Sequence, residues 1–363
     1  VLDGAVLVLC SVGGVQAQSL TIDRQMQRYR IPRLAFVNKM DRVGADPQGV
    51  VEQLRGKLGC DAVVMQIPIG CESEFRGVVD LVSQTALYFD GPNGEHVRRE
   101  PIPDGMRDEA DRARREMLES LSMYSDELLE LLVAEEEVPE TLVQEVAATA
   151  VRRLEITPVF FGSAFTNKGV QPLLDAVVRY LPSPLERRAT GFASNDPERE
   201  IVLQPDPEKP TVAMAFKIAE DPFGALTFMR IYQGTLRKGG TYFNQRTGRR
   251  ERFSRVVRMH ADQREEVAEA SAGDIVAVLG VDCASGDTFG SEYPYCTLES
   301  MYVPDPVSSM ARAPGARDGA GRLSKALSRF RREDPTFHVR SDPETGETLI
   351  AGMGELHLDI YVQ

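Results

Sequence analysis

The sequence contains no apolar run of about 18 residues, so no segment of it can cross a membrane as a helix. It contains no Cys-x-x-Cys pair. Its 5 cysteines, Cys10, Cys60, Cys71, Cys283 and Cys296, are scattered, and none of its 4 histidines, His96, His260, His338 and His357, stands at metal-ligand spacing. That argues against a disulfide framework or a zinc site and favours free thiols in a reducing compartment. Positive charge is in deficit: a net charge of −13 argues against a general nucleic-acid binder. A Gly-rich phosphate loop of the P-loop type is absent, and so are an initiator Met, a signal peptide and a transit peptide. The chain opens almost directly in the apolar run Val6-Leu7-Val8-Leu9, and Tyr361-Val362-Gln363 stops inside a helical pattern. Both ends therefore read as cuts, and the expectation is a fragment of a larger protein.

What is present is ordinary globular material, 42% hydrophobic and 27% charged, and 363 residues call for two or three domains. Residues 1–60 alternate strand and helix: strand 4–10, helix 17–29, strand 33–38, helix 47–58. That is the grammar of a parallel sheet with right-handed crossovers. Short strands at 63–100 and acidic helices at 104–152 then interrupt it, before strand 157–161 and helix 170–181 resume it. The acidic helices read as a solvated face or as a surface for a basic partner. A polar linker is expected from Pro182 to Pro210. Short Gly-punctuated strands from Val212 to Met301 predict a closed antiparallel barrel. A βαββα order follows: helix 321–332, strands 336–340 and 347–351, and a helix from Gly354. It suggests a ferredoxin-like module missing its last strand.

The most telling segment is Arg33-Leu34-Ala35-Phe36-Val37 followed at once by Asn38-Lys39-Met40-Asp41. Ligands of open α/β sheets bind beyond the carboxyl ends of the strands, where this tetrad sits. An ionised Asp41 is an acceptor on two oxygens. Guanine offers N1–H and the N2 amine side by side, whereas adenine has an acceptor at N1 and no N2 amine. A site built around such a group rejects the analogue lacking its partner. Asn38 would tie the loop and reach the purine N7, and the Lys39 stem would lie along the base. A polar turn of ordinary kind has the same letters. A second strand end, Val159-Phe160-Phe161-Gly162-Ser163-Ala164, shifts the balance, because its small side chains let the Ala164 amide approach guanine O6. The pair of strand ends points to GTP.

Seen together with further segments, these carry a resemblance over nearly the whole chain. They are Gly13-Gly14-Val15-Gln16-Ala17-Gln18-Ser19, Phe36 to Arg42, Gly162-Ser163-Ala164-Phe165 and Arg230-Ile231-Tyr232-Gln233-Gly234-Thr235-Leu236. Leu323-Ser324-Lys325-Ala326-Leu327, Glu333-Asp334-Pro335-Thr336-Phe337 and Gly352-Met353-Gly354-Glu355-Leu356-His357-Leu358 complete the set. The chain resembles the elongation factor G family of translational GTPases. The resemblance implies a multidomain α/β and β architecture. Residues 1–186 would be the later part of a P-loop-type GTPase domain, with a helical insertion at about 63–155. Residues 205–303 would be an antiparallel β-barrel, and 304–363 an incomplete ferredoxin-like module.

It further implies GTP and GDP as ligands, with Asn38, Lys39, Asp41, Ser163 and Ala164 at the guanine base. It implies action on the ribosome, moving tRNA and mRNA through domains not present here, and a stalk protein at the acidic insertion. A monomer in the bacterial cytoplasm is expected, with the mitochondrial matrix as the other compartment. No catalytic residue is assigned, because the Mg²⁺-holding Thr segment and the water-orienting Asp-x-x-Gly-His segment of the family are absent here. Mg²⁺ is expected in a full-length protein, its ligands lying outside this chain. Ser308 to Gly315 is less apolar than the family's strand. The other readings are a ribosome-recycling or ribosome-protection paralogue, and a non-catalytic ribosome-binding module. Two basic clusters are candidate rRNA contacts or solvated faces: Arg246, Arg249, Arg250, Arg252, Arg255 and Arg258, and Lys325, Arg329, Arg331 and Arg332.

Overall fold

The computed structural model describes residues 1–221, 224–261, 263–298, 308–312, 323, 326–327, 329–331, 334, 336–341 and 348–362. The chain divides into two compact units, Leu2–Ser183 and Pro184–Gln363, with Val1 grouped with the second.

The first unit is built on strands β1 (Ala5–Cys10), β2 (Arg33–Asn38), β3 (Ala62–Val64) and β8 (Thr157–Phe161), in the spatial order β1-β2-β8-β3. All the pairings are parallel. β8 and β2 lie inside the sheet, and both are continuously buried apart from Asn38. A central parallel strand covered on both faces reads in this way. Along β2 the side chains alternate between two cores: Leu34 and Phe36 face one, Ala35 and Val37 the other.

Helices α1 (Ala17–Arg28), α2 (Pro47–Leu58) and α6 (Val170–Tyr180) follow β1, β2 and β8. α2 begins where its sequence dictates: Pro47 stands in its first turn, and the Asp46 carboxylate accepts the Gly49 N–H at 2.9 Å. It buries Val50, Val51, Leu54 and Leu58.

Between β3 and β8 lies the insertion. An antiparallel sheet orders β4 (Gln66–Ile69), β5 (Gly77–Asp80), β6 (Thr85–Asp90) and β7 (His96–Pro101). Helices α3 (Arg107–Ser122), α4 (Asp126–Val133) and α5 (Glu140–Arg152) complete it. One boundary differs from the sequence expectation. The insertion was expected from about residue 63, but Ala62–Val64 pairs in parallel with β8 and belongs to the main sheet.

The second unit opens with a hairpin, Ala189–Ala193 and Asp196–Leu203, in what was expected to be a linker. Its outer strand is charged and mostly exposed, so no apolar alternation announces it. The expected barrel is an eight-stranded antiparallel run from Arg250–Arg252 at one end to Gln263–Val267 at the other. Thr235–Arg237 pairs antiparallel with Glu269–Ser271 in a second, shorter ladder, and both ladders line one core, so the antiparallel barrel of the sequence reading takes a barrel-like form. Its core includes Ala213, Met229, Ile231 and Leu236, with Phe253 between Tyr242 and Phe289 at ring-centroid distances of 4.8 and 5.3 Å. Gly234, in the Arg230–Leu236 segment, is held at φ +75, and a Cβ there would lie 2.5 Å from Thr211 Cα.

Of the final module, strand Thr348–Gly352 pairs antiparallel with Ser308–Arg312 on one side and His338–Ser341 on the other. Ser308 to Arg312 thus pairs despite its polar character. Phe330, Phe337 and Tyr361 form a ring cluster at 4.6–5.9 Å, and helix Glu355–Val362 ends the described residues. Lys325, Arg332 and half of the expected helix 321–332 lie outside the described residues.

Candidate guanine-base site

The ends of β2 and β8 are neighbours because the strands are hydrogen-bonded in parallel, with Val37 opposite Phe161. The chain leaves β2 through Asn38 and turns sharply at Lys39, which adopts the left-handed conformation at φ 67. A lysine there is strained by about 1 kcal/mol or more, and such strain persists only where its surroundings impose it. Here Ser11 at the end of β1 imposes it: its hydroxyl donates to the Lys39 carbonyl at 2.7 Å, and its N–H donates to the Asn38 carbonyl at 2.8 Å. Met40 is fully buried and its N–H donates to the Gly162 carbonyl at 3.1 Å.

Asn38 joins the two strand ends. Its Oδ1 accepts the Lys39 N–H at 2.8 Å and the Ala164 N–H at 2.9 Å. Two donors fix this atom as the oxygen, which leaves the Nδ2 amine as the only group able to reach an acceptor such as a purine N7. The tying role expected for Asn38 is therefore seen. The Ala164 amide, expected to face guanine O6, is donated to Asn38 instead.

Ser163 is fully buried and shapes the second loop. Its N–H and carbonyl exchange hydrogen bonds with Lys168 at 2.8 and 3.0 Å, and its hydroxyl accepts the Thr166 N–H at 3.3 Å. Ser163 thus positions Ala164 rather than facing the cleft itself. Lys39 and Ala164 are exposed, and Asp41 is half-buried. Among the described residues, no hydrogen bond or ion pair engages the Asp41 carboxylate. The arrangement can present two carboxylate oxygens and one amide donor to a planar ligand that carries paired N–H groups and a carbonyl.

Sequence reasoning missed Ser11, whose only signal is its place at the end of the strand neighbouring β2. Cys10 lies opposite Asn38 in the parallel register. Burial pushes its thiol up, but the backbone N–H groups of Gly13 and Val12 and the charges of Lys39 and Arg42 pull it below the usual range.

Among the described residues no group of three or more His, Cys, Asp or Glu stands close enough together to hold a metal ion. The first basic cluster is less available than its sequence suggests. Arg246 makes a two-pronged pair with the buried Asp287, at 2.5 and 2.8 Å. Arg255 pairs with Glu266 and Arg258 with Asp274. Burial pushes the Asp287 carboxyl up, but hydrogen bonds from Arg246, the Ala284 N–H and Asn244 outweigh it and hold the group below the usual range.

A parallel α/β sheet with an insertion, followed by a barrel-like sheet and a βαββα module, is the layout of a GTP-binding translation factor. Residues 1–183 match the Elongation factor Tu GTP binding domain, 224–290 Elongation factor Tu domain 2, and 303–363 Elongation Factor G, domain III. The chain belongs to the elongation factor G family of translational GTPases. It is 62% identical over its whole length to elongation factor G of Rhodopirellula baltica, of which it covers 52%. It is 50% identical, again over its whole length, to the mitochondrial elongation factor G-1 of Arabidopsis thaliana, covering 48% of it. A crystal structure of a protein from Thermus thermophilus superposes with a TM-score of 0.82 at 27% identity, covering 99% of this chain and 51% of that one. The chain spans about half the length of the curated relatives it matches.

Proposed function

We propose that this chain is the central part of a GTP-driven ribosomal translocase, and that its own contribution to GTP use is recognition of the guanine base. The observation that carries the reading is the hydrogen-bonded junction of the two strand ends, with Asn38 Oδ1 holding Lys39 and Ala164 together. In this reading Asp41 accepts from guanine N1 and N2, Asn38 Nδ2 reaches N7, and the Lys39 stem covers the base. O6 takes the Ala164 amide from Asn38, and Ser163 holds that loop in shape. GTP and GDP are the ligands. The phosphates and Mg²⁺ are held by parts of a full-length factor outside this chain, because phosphoryl transfer needs a phosphate cradle, metal ligands and a water-positioning group. The ribosome is the partner, in the cytoplasm or, as for the Arabidopsis relative, in the mitochondrion. No helix among the described residues is long and apolar enough to cross a membrane.

One experiment separates this reading from its alternatives. This chain replaces the matching segment of a full-length elongation factor G, and ribosome-dependent phosphate release and mRNA movement are followed. The chimera is expected to do both, and the chain alone neither. Phosphate release by the chain alone at the chimera's rate contradicts the division of labour. A chimera that releases phosphate without moving mRNA favours the recycling or protection paralogue.

A further inference from the structure

Two turns of the inserted sheet meet the base loops from outside. The first lies between β4 and β5. Glu72 stands there in the left-handed conformation, φ 57. Its N–H donates to the Met40 carbonyl at 2.9 Å, and its Oε1 accepts the Gly44 N–H at 2.7 Å. One residue therefore grips the loop on both sides of Asp41. The second turn lies between β6 and β7. There the Asn93 carbonyl accepts from Asn167 Nδ2 at 2.9 Å, and the Gly94 carbonyl accepts from Gln171 Nε2 at 2.8 Å. Lys168 Nζ donates to the Phe75 carbonyl at 3.0 Å and ties the second base loop to the first turn as well. The approach at Gly94 is so close that a Cβ would lie 2.7 Å from the Thr166 carbonyl oxygen, at a φ of +62.

We propose that Glu72 and Gly94 are positioning residues for guanine recognition: the inserted sheet holds both base loops in register from behind, without touching the base. The proposal rests on the base-site reading above. Both loops contain a strained left-handed residue, Lys39 at φ 67 and Asn167 at φ 51. Loops of that kind relax unless packing and hydrogen bonds fix them, and recognition through paired hydrogen bonds tolerates a displacement of only about 0.5 Å. The Glu72 contact to Gly44 is charge-assisted, which makes it the stronger kind of anchor.

The two turns act on different edges of the base, and the test exploits this. In a full-length elongation factor G carrying this chain, affinities are measured for GDP, for IDP, which lacks the N2 amine but keeps N1–H and O6, and for the 2-aminopurine riboside diphosphate, which lacks O6 and with it the N1–H. Glu72→Ala is expected to lower the preference for GDP over IDP by roughly tenfold, the scale of one lost hydrogen bond to a charged group. Glu72→Gln, which keeps the acceptor, should restore most of it. Gly94→Ala is expected to lower the preference for GDP over the 2-aminopurine nucleotide while leaving the preference for GDP over IDP unchanged, which assigns its effect to the O6 edge. A merely structural role would lower the melting temperature and weaken GDP and its analogues alike, leaving both ratios intact, and that result overturns the proposal. Asp41→Asn is the reference. If it shifts the GDP/IDP ratio while Glu72→Ala does not, only the positioning role fails. If neither shifts it, the base-site reading fails.

Discussion

Asp41→Asn, in a full-length elongation factor G carrying this chain, is expected to turn a guanine-selective protein into a xanthine-selective one. In the proposed site the wild-type carboxylate offers acceptors only, and guanine would face it with donors at N1 and N2. The amide exchanges one acceptor for an NH₂ donor. Against guanine that donor meets a donor, and a polar group left mispaired in a partly buried site costs about 1–3 kcal/mol, roughly 5- to 150-fold in affinity. Xanthine carries a carbonyl where guanine carries the N2 amine, so the same variant restores complementarity. Competition binding with GTP and XTP checks this. Unchanged affinities for both would place the base elsewhere.

The second large effect concerns the support of β2. Asp23 on α1 and Arg33 at the start of β2 form an ion pair with side-chain exposures of 6% and 10%. Arg33 Nε also donates to Thr157 Oγ1 at 3.3 Å, and Gln27 Nε2 donates to Asp23 at 2.7 Å. The pair thereby joins α1 to the strands that end in the two base loops. Burial pushes the Asp23 carboxyl up, and the attraction of Arg33 only partly offsets this. The charge is therefore held at a cost: the stability this carboxyl contributes is present when it is protonated and falls as pH rises through its raised folded value. Asp23→Ala leaves Arg33 buried and unpaired and is expected to destabilise the first unit by about 3–5 kcal/mol. The double change Asp23→Leu with Arg33→Met removes both charges and should recover most of that loss. Urea unfolding of the chain followed by circular dichroism reads both. A double variant no more stable than Asp23→Ala would show that the arginine's other contacts, not the unpaired charge, set the penalty.

The loops that follow β2 and β8 were legible because both features that mark them are local. Central parallel strands are buried on both faces, so Leu34–Val37 and Val159–Phe161 appear as unbroken apolar runs, and the polar residues that follow mark the strand ends. α2 was legible for the same reason, since Asp46 and Pro47 announce its start and Leu58 its last buried turn. What could not be read depends on approach between distant segments. Glu72 and Gly94 look like ordinary turn residues until the inserted sheet folds against loops that precede and follow it in the chain. β3 is too short to reveal which sheet it joins. The hairpin at 189–203 carries Asp196, Glu198, Arg199 and Glu200 on an exposed strand and so looks like a linker. Arg246 reads as a surface cation because its partner Asp287 is 41 residues away. The Ala164 amide is expected at guanine O6 from the sequence, but in this structure it donates to Asn38 Oδ1, a contact that only the junction of the strand ends makes visible.

The most direct test of the central claim is a crystal structure of a full-length elongation factor G carrying this chain, bound to GDP. The expected result is a guanine lying along the Lys39 stem, with N1 and N2 each about 2.7–3.1 Å from an Asp41 oxygen and O6 on the Ala164 amide. Asn38 would then have yielded that amide to the base while keeping the Lys39 N–H. A guanine seated away from the β2 and β8 ends, with Asp41 in solvent and the Ala164 to Asn38 hydrogen bond still in place, would contradict the account.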